Sequence, residues 1–152
     1  FYQSRIFKRT GDSCLWVWCC LCSDCFVSGY ARDAATSGAQ VLVLISNNLW
    51  YAPSAEPMQH FWQAVARSVE TGLPLVTAGN AGITGVVNLD RTVHYLKDKN
   101  GNALQCAPGV LIKNVELPVA STKTLYVRLG DVPLVGLFIL SILSSIIIKI
   151  WE

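Results

Sequence analysis

The sequence predicts an α/β domain followed by one membrane helix. Three observations predict it: short uncharged apolar runs bounded by turn residues, one amphipathic helical pattern between two such runs, and a long uncharged stretch near the C-terminus. Apolar residues make up 52% of the 152 residues and charged residues 14%. An ordinary soluble domain is less apolar and more charged, and much of the excess lies at the C-terminal end. The net charge is +2 and Lys and Arg form no cluster. Nucleic acid is therefore not an expected partner.

The chain opens at Phe1 in mid-pattern, and residues 1–9 are polar and basic, without the apolar core of a signal peptide. The start reads as a cut, either an incomplete gene product or a boundary within a longer protein. Residues 15–22 (LWVWCCLC) form an apolar run with aromatics, expected as a strand covered on both faces. Residues 23–37 are mixed and predict a turn leading into a short helix. Residues 41–46 (VLVLIS) predict a second buried strand, followed by a loop over 47–57 rich in Asn, Pro and aromatics. Residues 58–71 carry the clearest helical pattern: Met58, Phe61, Trp62, Val65 and Val69 share one face. Pro57 suits its first turn, and Gly72 and Pro74 stop it.

Residues 74–78 predict a third strand, Gly79-Asn80-Ala81-Gly82 a turn, and residues 83–89 and 92–96 two more strands. Asn100-Gly101 within 97–102 (KDKNGN) signals a hairpin. Residues 109–117 are expected as the last strand. Residues 132–148 carry no charge; about 17 residues at about 1.5 Å each span roughly 26 Å of a ~30 Å hydrocarbon core. Ile, Leu, Val and Phe occur all round this helix, which favours membrane insertion over a buried soluble helix. Lys149 suits a snorkelling position and Trp151 an interfacial one. Lys123 and Arg128 balance Lys149 across the span, so charge leaves the orientation open.

Five of six cysteines crowd together: Cys14, Cys19, Cys20, Cys22 and Cys25. Cys22-x-x-Cys25 has metal or redox spacing, but no second such pair and no nearby His accompany it. Alternation along the strand points its cysteines to opposite faces. Neither a zinc site nor a redox dithiol is expected.

Residues 45–51 (ISNNLWY), 67–70 (RSVE), 79–84 (GNAGIT) and 124–131 (TLYVRLGD), taken in order, resemble segments of the apolipoprotein N-acyltransferases, a branch of the nitrilase or carbon-nitrogen hydrolase superfamily. Ile45-Ser46-Asn47-Asn48-Leu49-Trp50-Tyr51 is similar to that family's I-S-N-D-x-W-F. Gln59-His60 follows a Pro-containing loop, and Arg67-Ser68-Val69-Glu70 fits R-x-x-E. Pro74-Leu75-Val76 and Gly79 to Thr84 fit P-L-V and N-x-G-I-[ST]. Residues 124–131 (TLYVRLGD) fit T-x-Y-x-R-x-G-[DN] before the last membrane helix. The family's nucleophile stands in C-Y-E about two dozen residues before I-S-N-D, which lands on Cys22-Ser23-Asp24. Arg32-Asp33 falls where the family often has an R-D pair. Ser23 replaces the aromatic, Asp24 replaces Glu with a shorter reach, and Thr77 stands where Arg is common.

The resemblance implies a nitrilase-like α-β-β-α sandwich, here only its C-terminal part over 1–131, with a transmembrane helix over 132–150. It implies a Glu-Lys-Cys triad with Cys22 as nucleophile and Asp24 in support. Twenty-one residues precede Cys22, with Lys8 the only Lys and no Glu, so the base and the catalytic Lys are expected to be missing from this chain. The implied reaction moves a phospholipid acyl chain onto Cys22 and then to the α-amino group of an apolipoprotein's diacylglyceryl-Cys. It implies the bacterial inner membrane with the catalytic part on the periplasmic side, and neither cofactor nor metal.

The residues themselves leave alternatives open. Taken without the resemblance, Cys22 reads more readily as a buried, inert strand cysteine, because a reactive one needs an activating neighbourhood. Asp24 is a site residue or a helix-start residue. Asn47, Asn48, Trp50 and Tyr51 follow a strand end, where α/β proteins place ligands, so they are candidate substrate contacts or else loop and lid residues. His60 reads as a helix-face polar residue more readily than as a direct participant, with no matching acid or nucleophile beside it in sequence. Arg67 and Glu70, at i and i+3, are a surface ion pair or a buried bridge beneath the site. Two other functions stay open: a carbon–nitrogen hydrolase cleaving amides with the same cysteine, and an inactive membrane-anchored remnant.

Overall fold

The computed structural model describes residues 4–10, 13–51, 53–118 and 123–151. Its centre is one six-stranded sheet whose strands lie side by side in chain order. β1 (Ser4–Thr10) pairs antiparallel with β2 (Ser13–Leu21). β2, β3 (Val41–Asn47) and β4 (Leu75–Asn80) run parallel. β5 (Gly85–Val87) and β6 (Val93–Tyr95) finish the sheet antiparallel.

Two helices make the parallel crossovers: α1 (Ser28–Thr36) and α2 (Glu56–Thr71). Right-handed crossovers taken in the same direction put both on one face of the sheet. Trp18, Cys20, Leu42, Leu44 and Leu75 project from that face into a core shared with Ala31, Ala34, Phe61, Ala64 and Val65. The opposite face carries Ile45 and Leu21, both about half exposed.

α2 starts two residues earlier than its apolar pattern predicts and presents a different face. Pro57, His60, Phe61, Ala64, Val65, Ser68 and Thr71 point inward, whereas Trp62 and Val69 are exposed. Small Ala64 and Ser68 let the helix approach the sheet closely, and the Ser68 hydroxyl donates to the Leu73 carbonyl. Hydrophobic periodicity counted the large side chains and so placed the stripe one residue off. That rotation carries His60 into the interior.

Two other expectations need correction. β1 forms from a segment whose charge gave no strand pattern, because its partner is the adjacent β2 rather than a buried core. The strand expected over 109–117 is absent among the described residues. Val110 and Ile112 there are 81% and 87% exposed, and no neighbouring strand offers them a ladder. The Asn100-Gly101 hairpin does form: Lys97 bridges Ala103, Gly101 has φ 86°, and Asp98 Oδ1 accepts from the N–H of Asn100 and Asn102.

Beyond the sheet, α3 (Leu125–Leu129) docks on α1 and α2. Thr124 caps it, accepting from the Val127 N–H, and also donates to the Glu70 carbonyl. Buried Val127 plugs the contact, and Arg32 Nε donates to its carbonyl at 3.2 Å. Gly130 follows at φ 58°, and a Cβ there would lie 2.9 Å from Arg32 Cζ, so the closing glycine makes room for the guanidinium. α4 (Val132–Trp151) is one 20-residue helix with no buried side chain and a single charge, Lys149. At about 1.5 Å per residue it is long and apolar enough to cross a bilayer. Ser145, within it, returns its hydroxyl to the Ser141 carbonyl at 3.0 Å.

Candidate active site

The carboxyl ends of the three parallel strands bring the candidate residues to one edge. Register pairs Leu21 with Ile45 and Asn47 with Asn80, so Cys22, Asn47 and Asn80 lie on adjacent strand ends. Ligands of open α/β sheets bind outside these ends.

Cys22 lies just beyond β2 rather than in it. It opens a short 3₁₀ turn, Cys22–Phe26, with φ 42°. A non-glycine residue at positive φ is costly by about 1–3 kcal/mol and persists where its surroundings hold it. Two contacts do so. The Leu21 N–H donates to Asp24 Oδ2 at 2.8 Å, and His60 Nε2 lies 2.9 Å from the Cys22 carbonyl. The Cys22 side chain is exposed, unlike buried Cys19, Cys20 and Cys25. Strand alternation does not govern it, because the chain has already left the strand.

Behind the turn sits a buried polar chain. Asn48, 2% exposed, accepts from Ser46 Oγ at 2.8 Å through Oδ1. Its Nδ2 donates to Glu56 Oε2 at 3.1 Å and contacts His60 Nδ1 at 2.8 Å. Phe26 stacks on the His60 ring at 5.2 Å and 11°. Glu56 and Ser46 were not singled out in the sequence. The spacing of Glu56 and His60, one helical turn apart at the start of α2, is the signal that marks them.

The remaining expected residues separate into two groups. Trp50 is 87% exposed, with Leu49 and Tyr51 also exposed, on the loop after β3. Asn47 Oδ1 accepts from Asn80 Nδ2 at 3.1 Å and tethers that loop through the Leu49 N–H. Asn48, by contrast, is enclosed and faces protein groups. A cavity of about 430 Å³ opens beside this edge, lined by Leu49, Asn80, Gly82, Leu96, Leu104 and Cys106 among others. Arg67 and Glu70 form an ion pair at 2.8 Å, 13% and 29% exposed. Arg67 also lines a small void with Cys20, Asp24 and Cys25, which puts it under the turn that bears Cys22. Burial raises Cys25 to about 12 and Cys20 to about 11, with neighbouring thiols and, for Cys20, Asp24 adding to the shift. Burial likewise raises Glu70, against the pull of Arg67. Thr77 is buried and donates to the Ile83 carbonyl at 3.0 Å, a structural place in β4.

The sequence profile of the carbon-nitrogen hydrolases matches residues 19–108, from the end of β2 through the hairpin. The chain belongs to the carbon-nitrogen hydrolase family. It is similar to proteins described as apolipoprotein N-acyltransferase. One, from Shewanella oneidensis, is 35% identical over 107 residues, covering 68% of this chain and 18% of that protein. Another, from Chlamydia caviae, is 36% identical and covers 73% and 20%. A third, from Bradyrhizobium diazoefficiens, is 38% identical and covers 69% and 18%. The chain thus spans about a fifth of the length of these relatives. Among solved structures, a variant of the amidase from Nesterenkonia sp. AN1, with acrylamide added at its active site cysteine, has a TM-score of 0.55. It is 22% identical and covers 91% of this chain and 50% of that one. That likeness shows the shared nitrilase-superfamily fold.

Proposed function

We propose that this family member works in N-acyl transfer, with Cys22 as the nucleophile. In the first step the Cys22 thiolate attacks the ester carbonyl carbon of a phospholipid. The ester C–O bond breaks, the lysophospholipid oxygen takes a proton, and a thioester remains on Sγ. In the second step the α-amine of a diacylglyceryl-Cys at an apolipoprotein N-terminus attacks the thioester carbon. The C–S bond breaks, the amine loses its proton and the thiol is restored. Of the Glu, Lys and Cys that the resemblance implies, the described residues supply Cys22.

The observation that carries this reading is the exposed Cys22 at positive φ on a strand's carboxyl end, inside the segment that matches the family. Asp24 supports it by fixing the turn through the Leu21 N–H. Asn47, Trp50 and Tyr51 are proposed to meet substrate, Asn48 to brace the site from within, and Arg67 with Glu70 to support the turn from below. Residues 1–131 serve as the catalytic part, and 132–150 as an anchor that keeps it beside its lipid donor at the periplasmic face of the inner membrane.

The test is transfer to a synthetic diacylglyceryl-cysteinyl peptide by the full-length protein in phospholipid micelles. Wild type is expected to acylate the peptide's amine and Cys22→Ser is not. Equal transfer by both would end the proposal. The amidase reading is compatible with the carbon-nitrogen hydrolase match and disfavoured by α4, which suits a lipid substrate. Ammonia release from simple amides without peptide acylation would favour it.

A further inference from the structure

We infer that His60 is a positioning residue, which sets the peptide after the nucleophile so that its N–H serves the reacting carbonyl. The inference rests on Cys22 being the nucleophile. Its starting point is the direction of each hydrogen bond in the buried chain.

A carboxylate only accepts, so the Asn48 atom beside Glu56 is the amide nitrogen, and its oxygen faces Ser46. The same nitrogen donates to His60 Nδ1. Nδ1 is therefore the acceptor and the ring's proton sits on Nε2, which donates to the Cys22 carbonyl. Ser46, Asn48 and Glu56 thus fix one tautomer, and Phe26 stacked on the ring fixes its plane. His60 is 3% exposed and bonded at both nitrogens, so its ring holds the Cys22 C=O from the buried side, with the weaker Cys25 thiol contact at 3.5 Å beside it.

The peptide between Cys22 and Ser23 is planar and trans, so its N–H points opposite to its C=O. With the carbonyl held against buried His60, the Ser23 N–H is turned the other way. A backbone donor of this kind stabilises the oxyanion that forms when a thiolate adds to an ester carbonyl. The bond His60 makes to Cys22 is to its backbone carbonyl. His60 acts by keeping Cys22 at φ 42° with its peptide plane fixed. The interaction strengthens as charge develops, so its loss lowers kcat and leaves KM in place.

Two substitutions separate positioning from folding. Gln places an amide N–H near the Nε2 position, and Asn places its polar atoms near Nδ1, reaching Asn48 but not the Cys22 carbonyl. Full-length wild type, His60→Gln and His60→Asn would be incubated with phospholipid, and thioester at Cys22 followed by mass. His60→Asn is expected to slow thioester formation on the order of 10- to 100-fold with KM unchanged. His60→Gln is expected to stay within about 3-fold of wild type, both variants melting at similar temperatures. Wild-type rates in His60→Asn, or equal losses in both variants, would overturn the inference. Wild type forming no thioester at Cys22 would instead remove the nucleophile assignment beneath it.

Discussion

Gly82→Ala is a sharp probe of the buried chain behind Cys22. A Cβ at position 82 would lie 2.5 Å from Asn48 Oδ1 and 3.2 Å from Gly79 Cα. A side-chain oxygen normally yields at little cost, but this one is enclosed and already bonded to Ser46. Turning it away also disturbs the amide's contacts with Glu56 and His60. Overpacking of this kind costs about 1–3 kcal/mol, and a lost buried hydrogen bond adds about 1 kcal/mol. The expected total is about 2–4 kcal/mol, or roughly 4–16 °C in Tm for a cooperative unit of about 150–250 residues. A double-mutant cycle with Asn48→Ala reads the mechanism. With the amide gone, the added methyl finds space, so Gly82→Ala is expected to cost less than about 1 kcal/mol in that background. Gly29→Ala, with nothing within 4 Å of its Cβ, serves as the control and should stabilise α1 slightly. Equal costs of Gly82→Ala with and without Asn48 would refute the reasoning.

Three further outcomes follow from the geometry. Cys20 and Cys25 are raised from 9.0 to about 11 and about 12, so the stability from keeping them neutral is whole below pH 9 and is lost as pH rises toward those values; urea melts at about pH 8 and about pH 10 should show the loss, and Cys25→Ala should shrink it. Arg67→Met leaves Glu70 partly buried and unpaired, which should cost about 1–3 kcal/mol near neutral pH. Because burial raises Glu70, that cost should fade as pH drops below the Glu70 pKa, and a pH-independent cost would contradict it. Gly130→Ala places a methyl 2.9 Å from Arg32 Cζ at φ 58°, so α3 should loosen from α1, read as faster backbone exchange at Val127.

Much of the fold was legible because short, uncharged runs bounded by turn residues, such as 41–46, form strands, although helices cover only one face and Ile45 on the other is half exposed. The alternation of strands and helices along 41–96, the hairpin and the terminal helix followed from the same local physics. What local pattern could not supply was tertiary. β1 exists through pairing with β2, and 109–117 stays irregular for want of a partner, though its apolar alternation is the better strand signal. At the site, the motif pointed to Cys22, but its alternation argument failed because the chain turns at that residue. Asn48 read as either a substrate contact or a loop residue from its place after the strand, and it is enclosed. His60 read as a helix-face polar residue because Trp62 and Val69 drew the predicted stripe away from it. Small residues, Ala64 and Ser68, set the real face, and size is a weak signal in periodicity.

The central claim is that the acyl group is carried on Cys22. Full-length protein given phospholipid with an isotope-labelled acyl chain, quenched in acid and digested, locates the label by mass. The account predicts one hydroxylamine-labile acyl group on the peptide containing Cys22, lost in Cys22→Ala. Label on Cys106, the other exposed cysteine among the described residues, or label that survives Cys22→Ala, would contradict it.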